Sequence, residues 1–172
     1  MSQNIGETVL TAEEIKAGLD DVAARLNADF DSAVVITVVP GGILVTADLV
    51  RQLTFDVAMD WISCPHTPGE RQNASPIVYY QNVQIEGRDV LLIDDAIESG
   101  GTMKRLVEHI AGFNPASISV ATLFVKPGRV EIPVRQYFAR EMASDDMLVG
   151  FGLPWQDKLR NLPYVAKLTP DA

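Results

Sequence analysis

Four consecutive apolar residues, Val90-Leu91-Leu92-Ile93, run directly into two aspartates, Asp94 and Asp95, and then into Ala96-Ile97-Glu98-Ser99-Gly100-Gly101-Thr102. An apolar run without polar alternation marks a strand buried on both faces, which in turn calls for a parallel sheet covered by helices. A helix is predicted over 102–110, where Leu106, Val107 and Ile110 share one face and Gly112 supplies a stop. This strand–turn–helix unit sets the expected fold class: α/β, with a mainly parallel central sheet flanked by helices. It also carries chemistry. Gly100 and Gly101 permit positive φ and close approach of backbone N–H groups to a ligand. The following helix points its positive end at the same spot, which suits a phosphate. Ser99 and Thr102 add hydroxyl donors. Asp94 and Asp95 suit either sugar hydroxyls or a hydrated Mg²⁺.

The rest of the chain repeats the alternation. Residues 1–10 read as a loose arm. Thr11-Ala12-Glu13-Glu14 has capping-box spacing, and Ile15, Leu19, Val22, Ala23 and Leu26 follow at helical intervals. A β-branched run over 33–39 reads as a buried parallel strand, 43–53 as a helix and 56–62 as a second strand. Residues 63–76 hold three prolines and no core pattern; a loop of that length in a compact domain is commonly functional or disordered. Further strands are expected at 77–80, 89–93, 117–125, 134–138, 147–149 and 164–168, with a helical turn within 153–159. Ligands of open α/β sheets bind beyond the carboxyl ends of the strands. Pro40-Gly41-Gly42, the 63–76 loop, Asp94-Asp95 and Lys126 all fall at that rim.

At 172 residues the chain suits one domain with a single substantial core. A net charge of −9 argues against general binding of nucleic acid or anionic membranes, so any polyphosphate must be held locally by backbone N–H groups, Mg²⁺ and a few basic side chains. Cys64 is the only cysteine, which excludes an internal disulfide, and no second cysteine or histidine stands at metal-ligand spacing, so no zinc site is expected. Cys64 reads as a passive thiol and His66 as a solvated loop histidine. No stretch approaches the ~20 apolar residues that span a bilayer, and residues 1–11 lack signal-peptide character, so the expected location is cytoplasmic. Asp29-Phe30-Asp31 and Asp145-Asp146 read as solvated turns. Arg135 and Arg140 fit either a free surface or a subunit interface.

The run from Val90 to Thr102 closely resembles the phosphoribosyl-pyrophosphate signature of the type I phosphoribosyltransferases. Val39-Pro40-Gly41-Gly42 falls where that family has its pyrophosphate loop, and Phe124-Val125-Lys126-Pro127 resembles the segment whose lysine contacts the purine's exocyclic oxygen. The segment from Asp146 to Leu153 resembles the hood strand over the base, and that from Lys158 to Val165 the closing segment. Together they resemble the hypoxanthine (hypoxanthine-guanine) phosphoribosyltransferases over about residues 10–168. The resemblance implies a single domain over 1–172, with a core at about 10–130, a closing segment at 160–168 and a hood mainly at about 131–159. It implies a purine-salvage transferase that moves 5-phosphoribosyl from phosphoribosyl pyrophosphate to N9 of a 6-oxopurine, hypoxanthine or also guanine, with Mg²⁺. Glu98 would be the general acid/base at N7. Asp94, Asp95, Ser99, Gly100, Gly101 and Thr102 would bind phosphoribosyl pyrophosphate, the two aspartates also serving the metal. Pro40, Gly41 and Arg160 would meet pyrophosphate; Lys126, Met147 and Leu148 would meet the purine. A homodimer or homotetramer is implied as well.

The chain departs from the family's pattern at several positions. Glu98 stands for the usual aspartate, Pro40 for a lysine after a cis peptide, Met147 for the stacking aromatic and Pro154 for a hood aspartate that helps hold Mg²⁺. The loop offers Pro65-His66-Thr67 in place of a Ser-Tyr pair. Val39-Pro40 can keep the cis geometry cheaply, or be an ordinary trans turn. These departures leave two alternatives: a catalytically weak regulator that binds a nucleotide or phosphoribosyl pyrophosphate on the same fold, and a transferase that prefers xanthine.

Overall fold

The computed structural model describes residues 5–65 and 74–169. Helix α1 (Ala12–Asp29) opens on the reciprocal cap its sequence predicts: the Glu14 amide donates to Thr11 Oγ1 at 3.1 Å and the Thr11 amide to Glu14 Oε1 at 3.2 Å. Its buried face is the predicted set from Ile15 to Leu26. α2 (Ile43–Val50) stops short of the expected residue 53, because the Asn27 side chain replaces the helix as partner there. It donates to the Gln52 carbonyl at 3.0 Å and accepts from the Thr54 amide at 2.8 Å. α3 (Gly101–Ala111) runs one residue beyond 102–110 at each end and has Gly112 as its C-cap.

These helices cover a six-stranded sheet. β2 (Ser32–Val39) lies between β3 (Asp56–Ser63) and β4 (Asp89–Ile93), with β6 (Ser117–Val125) beyond β4, and every pairing is parallel. β5 (Ala96–Ile97), a strand the sequence did not announce, resumes the line of β4 beside β6 once Asp94 and Asp95 have stepped out of it. Its central strands β2, β4 and β6 are buried on both faces, which explains their unbroken apolar runs. Along β2, Ala33 and Val35 pack with α1 and α2, while Val34, Ile36 and Val38 pack beneath α3.

Strands from around the expected hood pair across the chain. β7 (Arg135–Glu141), assigned by sequence to the hood, pairs in parallel with the free edge of β6 and belongs to the main sheet. Residues 5–10, expected to be a loose arm, form β1 (Ile5–Leu10). β1 pairs antiparallel with β9 (Val165–Leu168), which pairs antiparallel with β8 (Leu148–Val149). This second sheet, β1-β9-β8, is drawn from both ends of the chain and takes the place expected of the hood. The helical turn expected within 153–159 is instead a pair of tight reversals, closed by the Gly150–Leu153 and Trp155–Lys158 bridges. The short strand expected at 77–80 reduces to one bridge between Ser63 and Val78. His66 and Thr67 lie outside the described residues. Among those residues no helix is long and apolar enough to cross a membrane.

Asp29, read as part of a solvated turn, is paired within the chain, as are Glu14 and Asp60. Asp29 accepts from the Tyr137 hydroxyl at 2.7 Å and meets Arg135 at 2.9 Å; Glu14 meets Arg140 at 3.2 Å. α1 is thereby tied to β7, and both arginines find partners without a second subunit. Asp60, buried on β3, accepts from the amides of Trp61 and Val83 at 2.8 and 3.0 Å and from Asn82 Nδ2 at 3.0 Å. Burial raises its pKa, but these donors outweigh it and hold the carboxyl below its ordinary value. The depressed value contributes stability above the unfolded pKa of about 4 that disappears as pH falls through the folded one. Asp60→Asn should therefore cost about 1–3 kcal/mol at pH 7. Urea melts at pH 7 and pH 3 should show this penalty shrinking at the acidic end.

Candidate active site

β2 and β4 are neighbours whose following connections lead to opposite faces of the sheet, so a crevice opens between their carboxyl ends. A cavity of about 520 Å³ lies there, the size of a small-molecule site. Its floor is the segment 94–102, its near wall is the end of β2 through Gly41, and the hood closes it from above. Of the residues singled out by sequence, Pro40, Gly41, Asp94, Asp95, Glu98, Ser99, Gly100, Thr102, Lys126, Met147, Leu148 and Arg160 line it. Gly101, the first residue of α3, does not. The Val39–Pro40 peptide is cis.

The loop before α3 is shaped for backbone donors. Gly100 stands at φ +88° as N-cap, and no side chain bonds the helix's first amides from that position. A Cβ on Gly100 would meet Val130 at 2.9 Å, so only glycine serves there. The Val130 amide, donating to the Ser99 carbonyl at 2.8 Å, braces the turn from outside.

Asp94 and Asp95 each use one oxygen on the next backbone amide, at 2.8 and 2.7 Å. Burial raises the pKa of both, and nearby charge adds to this: Asp95 acts on Asp94, and Glu98 on both, while Arg160 partly offsets the effect at Asp95. A cation beside the pair would relieve that repulsion. Among the described residues no three His, Cys, Asp or Glu side chains converge to hold a metal by themselves. The two aspartates alone fit a hydrated Mg²⁺ that takes its remaining ligands from substrate oxygens and water.

Lys126 is the other anchor. Its side chain is only 6% exposed, a depth at which an ammonium must be paired. Glu98 Oε1 lies 3.2 Å from its Nζ and Asp145 Oδ1 lies 3.8 Å away. The extra β5 pairing places the lysine, since the Lys126 amide donates to the Ile97 carbonyl at 2.9 Å. Arg160 is spent partly on the hood, donating to the Gly152 carbonyl at 2.6 Å while the Gly152 amide returns a bond to its carbonyl at 2.8 Å.

Asp145 and Asp157 of the cavity wall, and Gly152 behind it, were not legible as such. Asp145 passed for a turn residue, and nothing local marks it. Asp157 reaches the cavity wall from the reversal at 155–158, where it adopts φ +63°. Gly152, at φ +108°, packs against Gly41 and Asp95; the Gly150-Phe151-Gly152 pattern was the available signal.

The chain matches the family model for the phosphoribosyl transferase domain over residues 6–157. It is 27% identical to the hypoxanthine-guanine phosphoribosyltransferase of Staphylococcus aureus over 175 residues, covering 99% of this chain and 98% of that protein. Among solved structures, a Bacillus anthracis hypoxanthine-guanine phosphoribosyltransferase superposes with a TM-score of 0.86 at 29% identity, over 97% of this chain and 99% of that one. A mutant of the Trypanosoma cruzi hypoxanthine phosphoribosyltransferase, solved with the product IMP, superposes with a TM-score of 0.87 at 26% identity, over 98% and 92%. With the parallel sheet, the acidic pair and the glycine turn where that architecture has its site, the chain belongs to the phosphoribosyl transferase domain family and is a transferase of the type I phosphoribosyltransferase fold.

Proposed function

We propose that the protein is a cytoplasmic purine-salvage enzyme that transfers 5-phosphoribosyl from phosphoribosyl pyrophosphate to N9 of hypoxanthine or guanine. The observation that carries this reading is the buried Lys126 in salt-bridge contact with Glu98 in the cavity. A 6-oxopurine offers O6 and N7 on one edge, which a lysine donor and a neighbouring carboxylate match. The names of the relatives, which are hypoxanthine or hypoxanthine-guanine transferases, support the same base class.

In this reading the backbone amides and hydroxyls of 99–102 hold the 5′-phosphate, including that of Gly101 although it lies behind the cavity surface. Asp94 and Asp95 hold the ribose hydroxyls, directly or through Mg²⁺ waters. Pro40, Gly41 and Arg160 meet pyrophosphate, and Met147 and Leu148 cover the base. Mg²⁺, when bound, neutralises the pyrophosphate leaving group. N9 then bonds to the ribose C1′ as the C1′–pyrophosphate bond breaks, and Glu98 takes the proton from N7. Catalysis is mainly positioning and charge complementarity. A homodimer or homotetramer is part of the proposal, supported by the exposed Met59 and Trp61 on the edge strand β3.

The test is pyrophosphate release with phosphoribosyl pyrophosphate, Mg²⁺ and hypoxanthine, guanine, xanthine or adenine in turn. Release with hypoxanthine or guanine but not adenine is expected. Release with xanthine alone would move the base preference. Tight nucleotide binding without release from any base would make the protein a regulator.

A further inference from the structure

Glu98 stands between two backbone bonds that end on one short segment. The Ile97 carbonyl accepts from the Lys126 amide at 2.9 Å, and the Ser99 carbonyl accepts from the Val130 amide at 2.8 Å. Where residues 126–130 sit therefore decides where the Glu98 backbone sits. The chain reverses within this segment at Pro127-Gly128, with Gly128 at φ +71°. One side chain ties the reversal down. Arg129 Nη1 donates to the Lys126 carbonyl at 2.8 Å and meets Glu141 Oε1 at 3.0 Å. Its guanidinium also lies 6.0 Å from the centre of the Phe138 ring. Phe138 and Glu141 both belong to β7, and Glu141 pairs with Val125, the last residue of β6 before Lys126. Arg129 thus fastens the turn to the edge of the main sheet, although it does not itself line the cavity.

Glu141 is 56% exposed and Arg129 23%, and an ion pair so open to water adds little to stability. Its orienting effect is larger. A planar guanidinium held at once by a carbonyl, a carboxylate and a ring leaves the turn one arrangement. We propose that Arg129, anchored by Glu141, is a positioning residue for the Glu98 carboxylate, acting through the Lys126–Ile97 and Val130–Ser99 backbone bonds. This rests on the reading of Glu98 as the group that takes the proton from N7. A shift of the turn carries Glu98 with it, and a misplacement of about 1 Å costs on the order of 10²-fold in rate.

The test is a double-mutant cycle on kcat for hypoxanthine at saturating phosphoribosyl pyrophosphate and Mg²⁺, with wild type, Arg129→Met, Glu98→Gln and the double variant, and with thermal melts alongside. Arg129→Met keeps an apolar stem and loses every donor. It should lower kcat about 10–100-fold, change KM for hypoxanthine less than about threefold and barely move the melting temperature. Arg129→Lys, whose ammonium keeps the charge and can still donate, should recover part of the loss, and it takes the place of Arg129→Met in the cycle should that variant not fold. In the Glu98→Gln background the Arg129 substitution should have almost no further effect, because the group it positions no longer takes a proton. Losses that multiply in the double variant would overturn the assignment, since Arg129 would then act independently of Glu98. An unchanged kcat in folded Arg129→Met, or a raised KM with kcat intact, would overturn it too. Should wild type not turn over hypoxanthine, or Glu98→Gln keep full kcat, the functional reading beneath fails and the assignment with it; with both as expected, the cycle judges Arg129 alone.

Discussion

Glu98→Gln should lower kcat by about 10²–10⁴-fold while KM for the base changes far less. Glutamine has nearly the shape of glutamate, and its amide oxygen can still accept from Lys126 Nζ, which now lies 3.2 Å from Glu98 Oε1. The cavity floor and the fold should therefore survive. What is lost is a group that can take a proton from N7 while N9 attacks the ribose. Asp145, 3.8 Å from the same ammonium, keeps Lys126 from becoming an unpaired buried charge in the variant. Glu98→Asp is the informative companion. It restores the carboxylate usual in the family but withdraws it by one methylene, so it should retain most of kcat only if the loop can advance. That loop is fixed by the Ile97–Lys126 and Ser99–Val130 backbone bonds, so an intermediate loss is expected. Steady-state kinetics on hypoxanthine, with thermal melts to verify folding, would decide. An unchanged kcat for Glu98→Gln would remove Glu98 from the chemistry.

The parts of this molecule legible in its sequence are those governed by local rules. The Thr11–Glu14 cap, the buried face of α1 and the strands at 89–93 and 117–125 follow from spacing and apolar runs alone, and the structure places them as expected. The glycine turn and the acidic pair were visible because the phosphate cradle proposed for them needs particular residue types in a fixed order. The misread parts depend on pairing across the chain. Gly6-Glu7-Thr8 shows no strand alternation and becomes β1 only because β9, from the opposite end, supplies its partner. Arg135 to Glu141 overlaps the strand expected at 134–138 but fell within the hood span that the resemblance implied. It is an edge strand, and an edge needs to bury less. Asp145 was invisible for the same reason: its meaning comes from Lys126, which the β5–β6 pairing carries to it.

Gly152→Ala should lower kcat/KM by about 10²-fold or more and destabilise the fold by about 2–4 kcal/mol. Two independent costs meet at this glycine. Its φ of +108° is one that side-chain-bearing residues rarely adopt, and a Cβ there would stand 2.2 Å from the Gly41 carbonyl oxygen and 3.0 Å from Asp95 Cβ. Neither neighbour is the flexible tip of a long side chain, so the backbone must give way. The parts that would move are the Pro40-Gly41 loop, the acidic pair and Arg160, whose bonds to Gly152 run in both directions at 2.6 and 2.8 Å. Gly87→Ala separates strain from crowding. Gly87 also has positive φ, +71°, but a Cβ there would meet nothing within 4 Å, and the residue lies away from the cavity. It should lose about 1 kcal/mol of stability and keep its kcat/KM. If Gly152→Ala loses no more activity than Gly87→Ala, the hood does not hold the Pro40-Gly41 loop and the acidic pair in register through this contact.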